Sequence, residues 1–246
     1  MKILLVNDDG FNEPGLKALE NALSNHETLT VAPFHHHSGA SMSLNLYSPL
    51  TLREHGSNRY SIEGTPVDCV KLALSELIAG NPPDLVISGI NPGANVANNT
   101  WYSGTVAAAT EAAFWRIPAI AISQEYSSSI KPDFDLASKV IKKVVDNDLY
   151  KMIEPGKLLN INVPSKPHGG YKVTTVGTFA NEIPFTRHEN GDSYRYGPYE
   201  IQAVRELSGT DVHALQNGHV SFTLLSSIRS TEVPAAEMRQ WCSQQS

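Results

Sequence analysis

Asp8 and Asp9, at the end of the stretch MKILLVNDDG, are the residues of this chain whose type and spacing most directly suggest chemistry. Neighbouring carboxylates repel each other and are costly to desolvate, so a divalent cation compensates them if both are held in a crevice. A solvated Asp-Asp-Gly turn is the plain alternative, since Asp and Gly are common turn residues. Three further loops carry groups that fit the first reading: Ser38-Gly39-Ala40-Ser41, Gly89-Ile90-Asn91 and Ser103-Gly104-Thr105. Each alone has an ordinary role, Ser38 as a turn hydroxyl and Asn91 as a loop residue. Together they offer hard oxygen donors of mixed charge, a set that suits Mg2+, Mn2+ or Ca2+ and not zinc. Ser103-Gly104-Thr105 also precedes strong helix formers, and a helix N-terminus presents free N–H groups to an anion. A hard cation beside such a terminus favours phosphate chemistry. The triplet His35-His36-His37 invites a transition-metal reading, but adjacent side chains in an extended loop diverge. A solvated loop contact is the better reading. A contact to a substrate phosphate, or proton donation, is a second one, because histidine titrates near neutral pH.

These residues need elements to position them. Ile3 to Val6 form a continuous apolar run of the kind found in parallel strands covered on both faces, and ligand sites of open α/β sheets lie at the carboxyl ends of such strands. Glu13 to Asn25 place Leu16, Leu19, Ala22 and Leu23 at helical spacing. Leu29 to Pro33 read as a second strand, ending in the histidine loop, and Tyr47 to Tyr60 as extended structure with turns. Thr65 suits an N-cap and Pro66 the first helical position of the segment that follows. Asp84 to Ser88, Ile117 to Ser123 and Leu158 to Val163 read as strands, and Leu136 to Val145 as an amphipathic helix. From Pro167 to Gly209 periodicity fades into an irregular extension with hairpins. Val220 to Leu225 return to strand character, and Pro234 to Cys242 suit a terminal helix. The pattern predicts one α/β domain over residues 1–246, with a core over about 1–165 and an extension over 166–246 whose aromatic arm suits a subunit interface.

Composition narrows the function. A chain of 246 residues has ample length for a core, and its formal charge of −6 gives no basic footprint for long nucleic acids. The two cysteines, Cys69 and Cys242, lack C-x-x-C spacing, so neither a disulfide framework nor a zinc site is indicated. The apolar run after Met1-Lys2 is too short for a signal peptide, and no stretch suits a membrane span. The cytoplasm is the expected compartment.

ILLVNDDG, VAP followed by SGAS at Ser38 to Ser41, EGTPVDCV at Glu63 to Val70 and VISGINPGANV at Val86 to Val96 resemble segments of the SurE (survival protein E) nucleotidases. So do WYSGTVAAA at Trp101 to Ala109, LNINVP at Leu159 to Pro164, and GTD with VSFTLL near the C-terminus. The resemblance runs in order over nearly the whole chain. It implies a Rossmann-like, mostly parallel α/β sheet with helices on both faces and a C-terminal extension that pairs subunits as a homodimer or a dimer of dimers. It implies divalent-metal-dependent hydrolysis of nucleoside monophosphates at the 5′ and often the 3′ position, with short-chain exopolyphosphatase activity as a further possibility. One divalent cation per subunit, Mg2+ or Mn2+ with Ca2+ able to occupy the site, falls on Asp8, Asp9, Ser38 and Asn91. Ser103, Gly104 and Thr105 fall where the family binds phosphate, and Asn95 on another site-lining asparagine. There are departures. Phe34-His35-His36-His37 replace a commonly charged segment, and Ala97-Asn98-Asn99 stand where Gly-Asp-Asp is frequent.

The expected chemistry is a metal-assisted phosphomonoesterase in which Asp8 or Asp9 also orients or deprotonates the attacking water. A covalent phosphoaspartate is the mechanistic rival. A non-catalytic nucleotide-binding regulatory module is the alternative from another class. An NAD enzyme is disfavoured because Asn-Asp-Asp-Gly stands where G-x-G-x-x-G would follow the first strand.

Overall fold

The computed structural model describes residues 1–125, 133–178, 185–188, 191–196 and 207–227. The first apolar run becomes β1 (Lys2–Val6), and Pro14 opens α1 (Pro14–Ala22) at a position where its missing N–H costs nothing. Next come β2 (Glu27–Pro33), β3 (Leu52–Glu54) and β4 (Arg59–Ile62). α2 (Pro66–Leu72) starts at a reciprocal cap, in which Thr65 accepts the Asp68 N–H and Asp68 accepts the Thr65 N–H, and it runs into a π-helical turn (Ala73–Leu77). β5 (Leu85–Pro92) leads through a 3-10 turn (Ala97–Trp101) to α3 (Gly104–Phe114), capped by Ser103. β6 (Ala119–Gln124), α4 (Asp135–Asp146) and β7 (Lys157–Val163) follow. β8 (Tyr171–Thr174), the hairpin strands β9 (Phe185–Arg187) and β10 (Tyr194–Tyr196), α5 (Asp211–Gln216) and β11 (Val220–Ser226) complete the described elements.

The main sheet has the order β3-β4-β2-β1-β5-β6-β7-β11-β8. β4, β2, β1, β5, β6 and β7 are mutually parallel, whereas β3 and β11 run antiparallel to their neighbours β4 and β7. Alternation along β1 divides the core. Ile3 and Leu5 join α1 and α4 on one face, and Leu4 and Val6 join α2 and α3 on the other. All four are essentially inaccessible, each burial being worth about 1.5–3 kcal/mol. The doubly covered α/β sheet expected from the sequence is therefore present. From β1 the chain winds outward through β2, then returns to β5 on the other side of β1. That reversal opens a crevice at the carboxyl ends of β1 and β5, where open α/β sheets bind ligands.

Two differences from the sequence reading concern the site. β5 does not stop at Ser88. It continues to Pro92 through a shift in its pairing with β6 between Ser88 and Asn91, at Gly89 with φ +141° and a cis Gly89–Ile90 peptide. A Cβ on Gly89 would lie 2.4 Å from the Ile122 carbonyl oxygen, so only glycine fits this irregularity. In addition, β8 and α5 fall in or beside the segment read as irregular, and β8 joins the main sheet by pairing parallel with β11. The helix expected over 234–242 lies outside the described residues.

Candidate active site

Asp8 and Asp9 sit just past β1 in a turn closed by Asn7. Its Nδ2 donates to the Gly10 carbonyl at 2.9 Å, and the Gly10 N–H donates to Asn7 Oδ1 at 3.3 Å. Gly10 has φ +129°, a conformation that favours glycine. Asp8 is held from several directions. Its Oδ1 accepts the Thr105 hydroxyl at 2.5 Å, and its backbone carbonyl accepts the His37 N–H at 2.8 Å. The start of α3 presses against it so closely that a Cβ on Gly104 would lie 2.8 Å from Asp8 Cβ.

Both carboxylates are nearly inaccessible, Asp8 at 3% and Asp9 at 8% exposure. Burial raises the pKa of Asp8 despite the hydrogen bonds from Thr105. Burial, then repulsion from Asp8 and Glu13, pushes Asp9 up to about 8. Among the described residues no lysine or arginine pairs with either aspartate. Asp9 meets only His36, whose Nδ1 lies 3.8 Å from Asp9 Oδ1 on an exposed side chain. Such a buried pair is short of positive charge, and that shortage is what a hard divalent cation satisfies.

The other expected donors lie on adjacent loops. Asn91 Nδ2 donates to the Gly93 carbonyl at 2.7 Å. Ser38 is exposed in the loop after β2. That loop is fastened to the approach to α3, because Ser41 donates its hydroxyl to the Trp101 carbonyl at 2.7 Å and its N–H to the Tyr102 carbonyl at 3.1 Å. Ser103 Oγ accepts the Val106 N–H at 3.1 Å as the cap of α3. Asn95 is locked from behind. Its Nδ2 donates to Ser123 Oγ and its N–H to Asn162 Oδ1, while its carbonyl accepts Asn160 Nδ2 and Asn162 Nδ2.

Asp8, Gly104 and Thr105 are thus in direct contact, and His36 and His37 reach Asp9 and Asp8. Ser38, Asn91, Asn95 and Ser103 make no hydrogen bond to either aspartate among the described residues. No three His, Cys, Asp or Glu side chains gather as a ligand set among those residues either. Ser123, Asn160 and Asn162 were not picked out by sequence. Their signal was present, since Asn160 and Asn162 are polar residues two apart in an otherwise apolar strand and therefore share a face. All three are fully buried.

The contact at Gly104 makes a firm expectation. Gly104→Ala should lower stability by about 1–3 kcal/mol through overpacking, and should cut turnover because Asp8 must shift. Thermal melts and phosphate-release rates check this, and a variant matching the parent in both would show that the site tolerates a displaced Asp8.

Comparison with known proteins identifies the family. Residues 3–182 match the family described as Survival protein SurE. A protein of Vibrio parahaemolyticus named 5′-nucleotidase SurE is 42% identical over 233 residues, which span 92% of this chain and 88% of that protein. The crystal structure of the SurE protein from Aquifex aeolicus superposes with a TM-score of 0.85 at 33% identity, covering 99% of this chain and 100% of that one. With a family match over most of its length, a relative at 42% identity and a shared fold, this chain belongs to the SurE family.

Proposed function

We propose that the chain is a 5′-nucleotidase, a phosphomonoesterase that splits nucleoside monophosphates into nucleoside and phosphate. One divalent cation, Mg2+ or Mn2+ with Ca2+ able to substitute, is held by Asp8, Asp9, Ser38 and Asn91. The observation that carries this reading is the buried carboxylate pair, without a lysine or arginine partner among the described residues, packed against the N-terminus of α3. The 42% identity to a relative named as a 5′-nucleotidase supports the reaction. A cation bound there supplies a Lewis acid that neutralises charge on the phosphoryl group.

The chain's own groups do the rest. Thr105 donates its hydroxyl to Asp8 Oδ1, and its amide also favours the Asp8 carboxylate, so the start of α3 fixes the orientation of this side chain. Ser103 uses its oxygen as the cap, so its hydroxyl proton remains for a phosphate oxygen, together with the Gly104 amide at the positive end of the helix. Asn95, fixed by Ser123, Asn160 and Asn162, offers its second N–H and its amide oxygen to the substrate. Asp8 or Asp9 orients the attacking water. Stable labelled phosphate trapped on either would replace this scheme with a phosphoenzyme.

The same crevice accommodates 3′-nucleotides and the end of a short polyphosphate chain, since recognition centres on a phosphoryl group. Phe185, Tyr194 and Tyr196, exposed on the β9–β10 hairpin, support subunit pairing through the extension as a homodimer or a dimer of dimers. No helix among the described residues is long and apolar enough to cross a membrane. The buried free thiol of Cys69 suits a reducing compartment such as the cytoplasm. Phosphate release from a panel of nucleoside monophosphates, with Mn2+ or Mg2+ and with chelator, tests the function. Metal-dependent release from 5′-nucleotides is expected, whereas binding with no release from any member would make the chain a nucleotide-binding module.

A further inference from the structure

The turn that leads from Asn95 to Ser103 is gripped by a carboxylate more than a hundred residues further along the chain. Ala97 has φ +48°, the left-handed region that a residue with a Cβ seldom adopts. Its N–H donates to Asp211 Oδ2 at 3.1 Å across a separation of 114 residues. The other oxygen of Asp211 accepts the Gly177 N–H at 2.8 Å and the Val212 N–H at 2.9 Å. Asp211 is fully buried at the start of α5, and Val212 and Leu215 of that helix pack with Val96 and Ala97 in a small apolar cluster. Three backbone N–H groups therefore answer this carboxylate, one of them from the strained residue.

We propose that Asp211 is a positioning residue for the active site, whose carboxylate holds Ala97 in its left-handed conformation and so sets the path from Asn95 to Ser103. The inference rests on the nucleotidase reading for its kinetic consequence, though not for its structural one. Asn95 and Ser103 stand at the two ends of the gripped turn. At its far end Gly104 abuts Asp8, so that end is fixed by packing. Loosening Ala97 then displaces the Asn95 side relative to the phosphate-binding helix start. Two of the proposed metal ligands have anchors of their own outside the turn, Asp8 through Thr105 and Gly104, and Asn91 through its pairing with Ser123 and its bond to the Gly93 carbonyl, so substrate binding suffers more than metal binding. An amide cannot replace the carboxylate. Asparagine at 211 would turn an N–H toward either the Ala97 N–H or the Gly177 N–H, and one of those donors would lose its acceptor.

A double-variant cycle with Asp211→Asn and Ala97→Gly tests this, because glycine adopts the left-handed conformation unaided. In Asp211→Asn the Ala97 amide should exchange with solvent faster than in the parent, and KM for a nucleoside 5′-monophosphate should rise roughly tenfold, the worth of one hydrogen bond to a charged acceptor. Mn2+ affinity measured by calorimetry should change by much less than KM. Adding Ala97→Gly to Asp211→Asn should restore most of the KM, which a merely stabilising role for Asp211 does not produce. Unchanged Ala97 exchange in Asp211→Asn, or a double variant as impaired as the single, overturns the proposal. If Asp211→Asn fails to fold, rescue of folding by Ala97→Gly supports the clamp and failure of both variants overturns it. If the parent releases no phosphate, the nucleotidase reading falls, while the exchange measurement still decides the clamp.

Discussion

Asp8→Asn is expected to lower turnover by roughly 10³-fold, the scale associated with removing a principal electrostatic element of an active site, without loss of fold. The substitution keeps the shape of the side chain. The amide oxygen can still accept the Thr105 hydroxyl, and residue 8 stays wedged against Gly104. What disappears is the charge, and in the metal-free protein that charge is a burden, since burial alone drives the Asp8 pKa upward. The melting temperature of metal-free Asp8→Asn should therefore equal or exceed that of the metal-free parent, while the stabilisation produced by adding Mn2+ shrinks. Phosphate-release rates and melts with and without Mn2+ check both halves. A folded variant with near-parental turnover would sink the ligand assignment.

The second large effect is the coupling of protons to metal. Asp9, pushed up to about 8, holds its proton in the folded metal-free protein over a range where the unfolded chain, with the ordinary value of 3.8, has released it. The native state then binds more protons than the unfolded state between those values, so stability must fall as pH rises through that window. The contribution is fully present near pH 4 and lost by about pH 8, and a shift of this size corresponds to on the order of 5 kcal/mol. Ligation requires the carboxylate, so divalent-cation binding near pH 6 should release protons and its affinity should climb toward pH 8. Denaturant melts of chelated protein at several pH values, with calorimetry in buffers of different ionisation enthalpy, measure the two sides of this linkage. Flat stability from pH 5 to 8 without metal, or binding with no proton release, would mean that Asp9 is ionised before any cation arrives.

Much of the site was legible because its signals are local. The apolar run Ile3 to Val6 and the acids that follow lie within one short segment, and the caps at Thr65 and Ser103 depend on residues three positions away. β3 lies within, and β4 begins at the end of, the stretch from Tyr47 to Tyr60 read only as extended. Three-residue β3, exposed along its length, carries no alternation to detect. β8 is similarly short and exposed on most of its residues. Six-residue α5 is too brief for a clear helical period, although Thr210 caps it by accepting the His213 N–H.

By itself the sequence determined the doubly covered strands and the helix starts, because hydrophobic period and capping are read from near neighbours. Only the tertiary structure decided which distant polar groups meet. Thr105 meets Asp8 across 97 residues, Asn162 meets Asn95 across 67, and Asp211 meets Ala97 across 114. Such contacts arise from the order of strands in the sheet and from which buried polar groups find partners there, and no local pattern encodes either. In this way an acidic pair that sequence left between a turn and a site becomes a buried, charge-deficient pair fastened to a helix start.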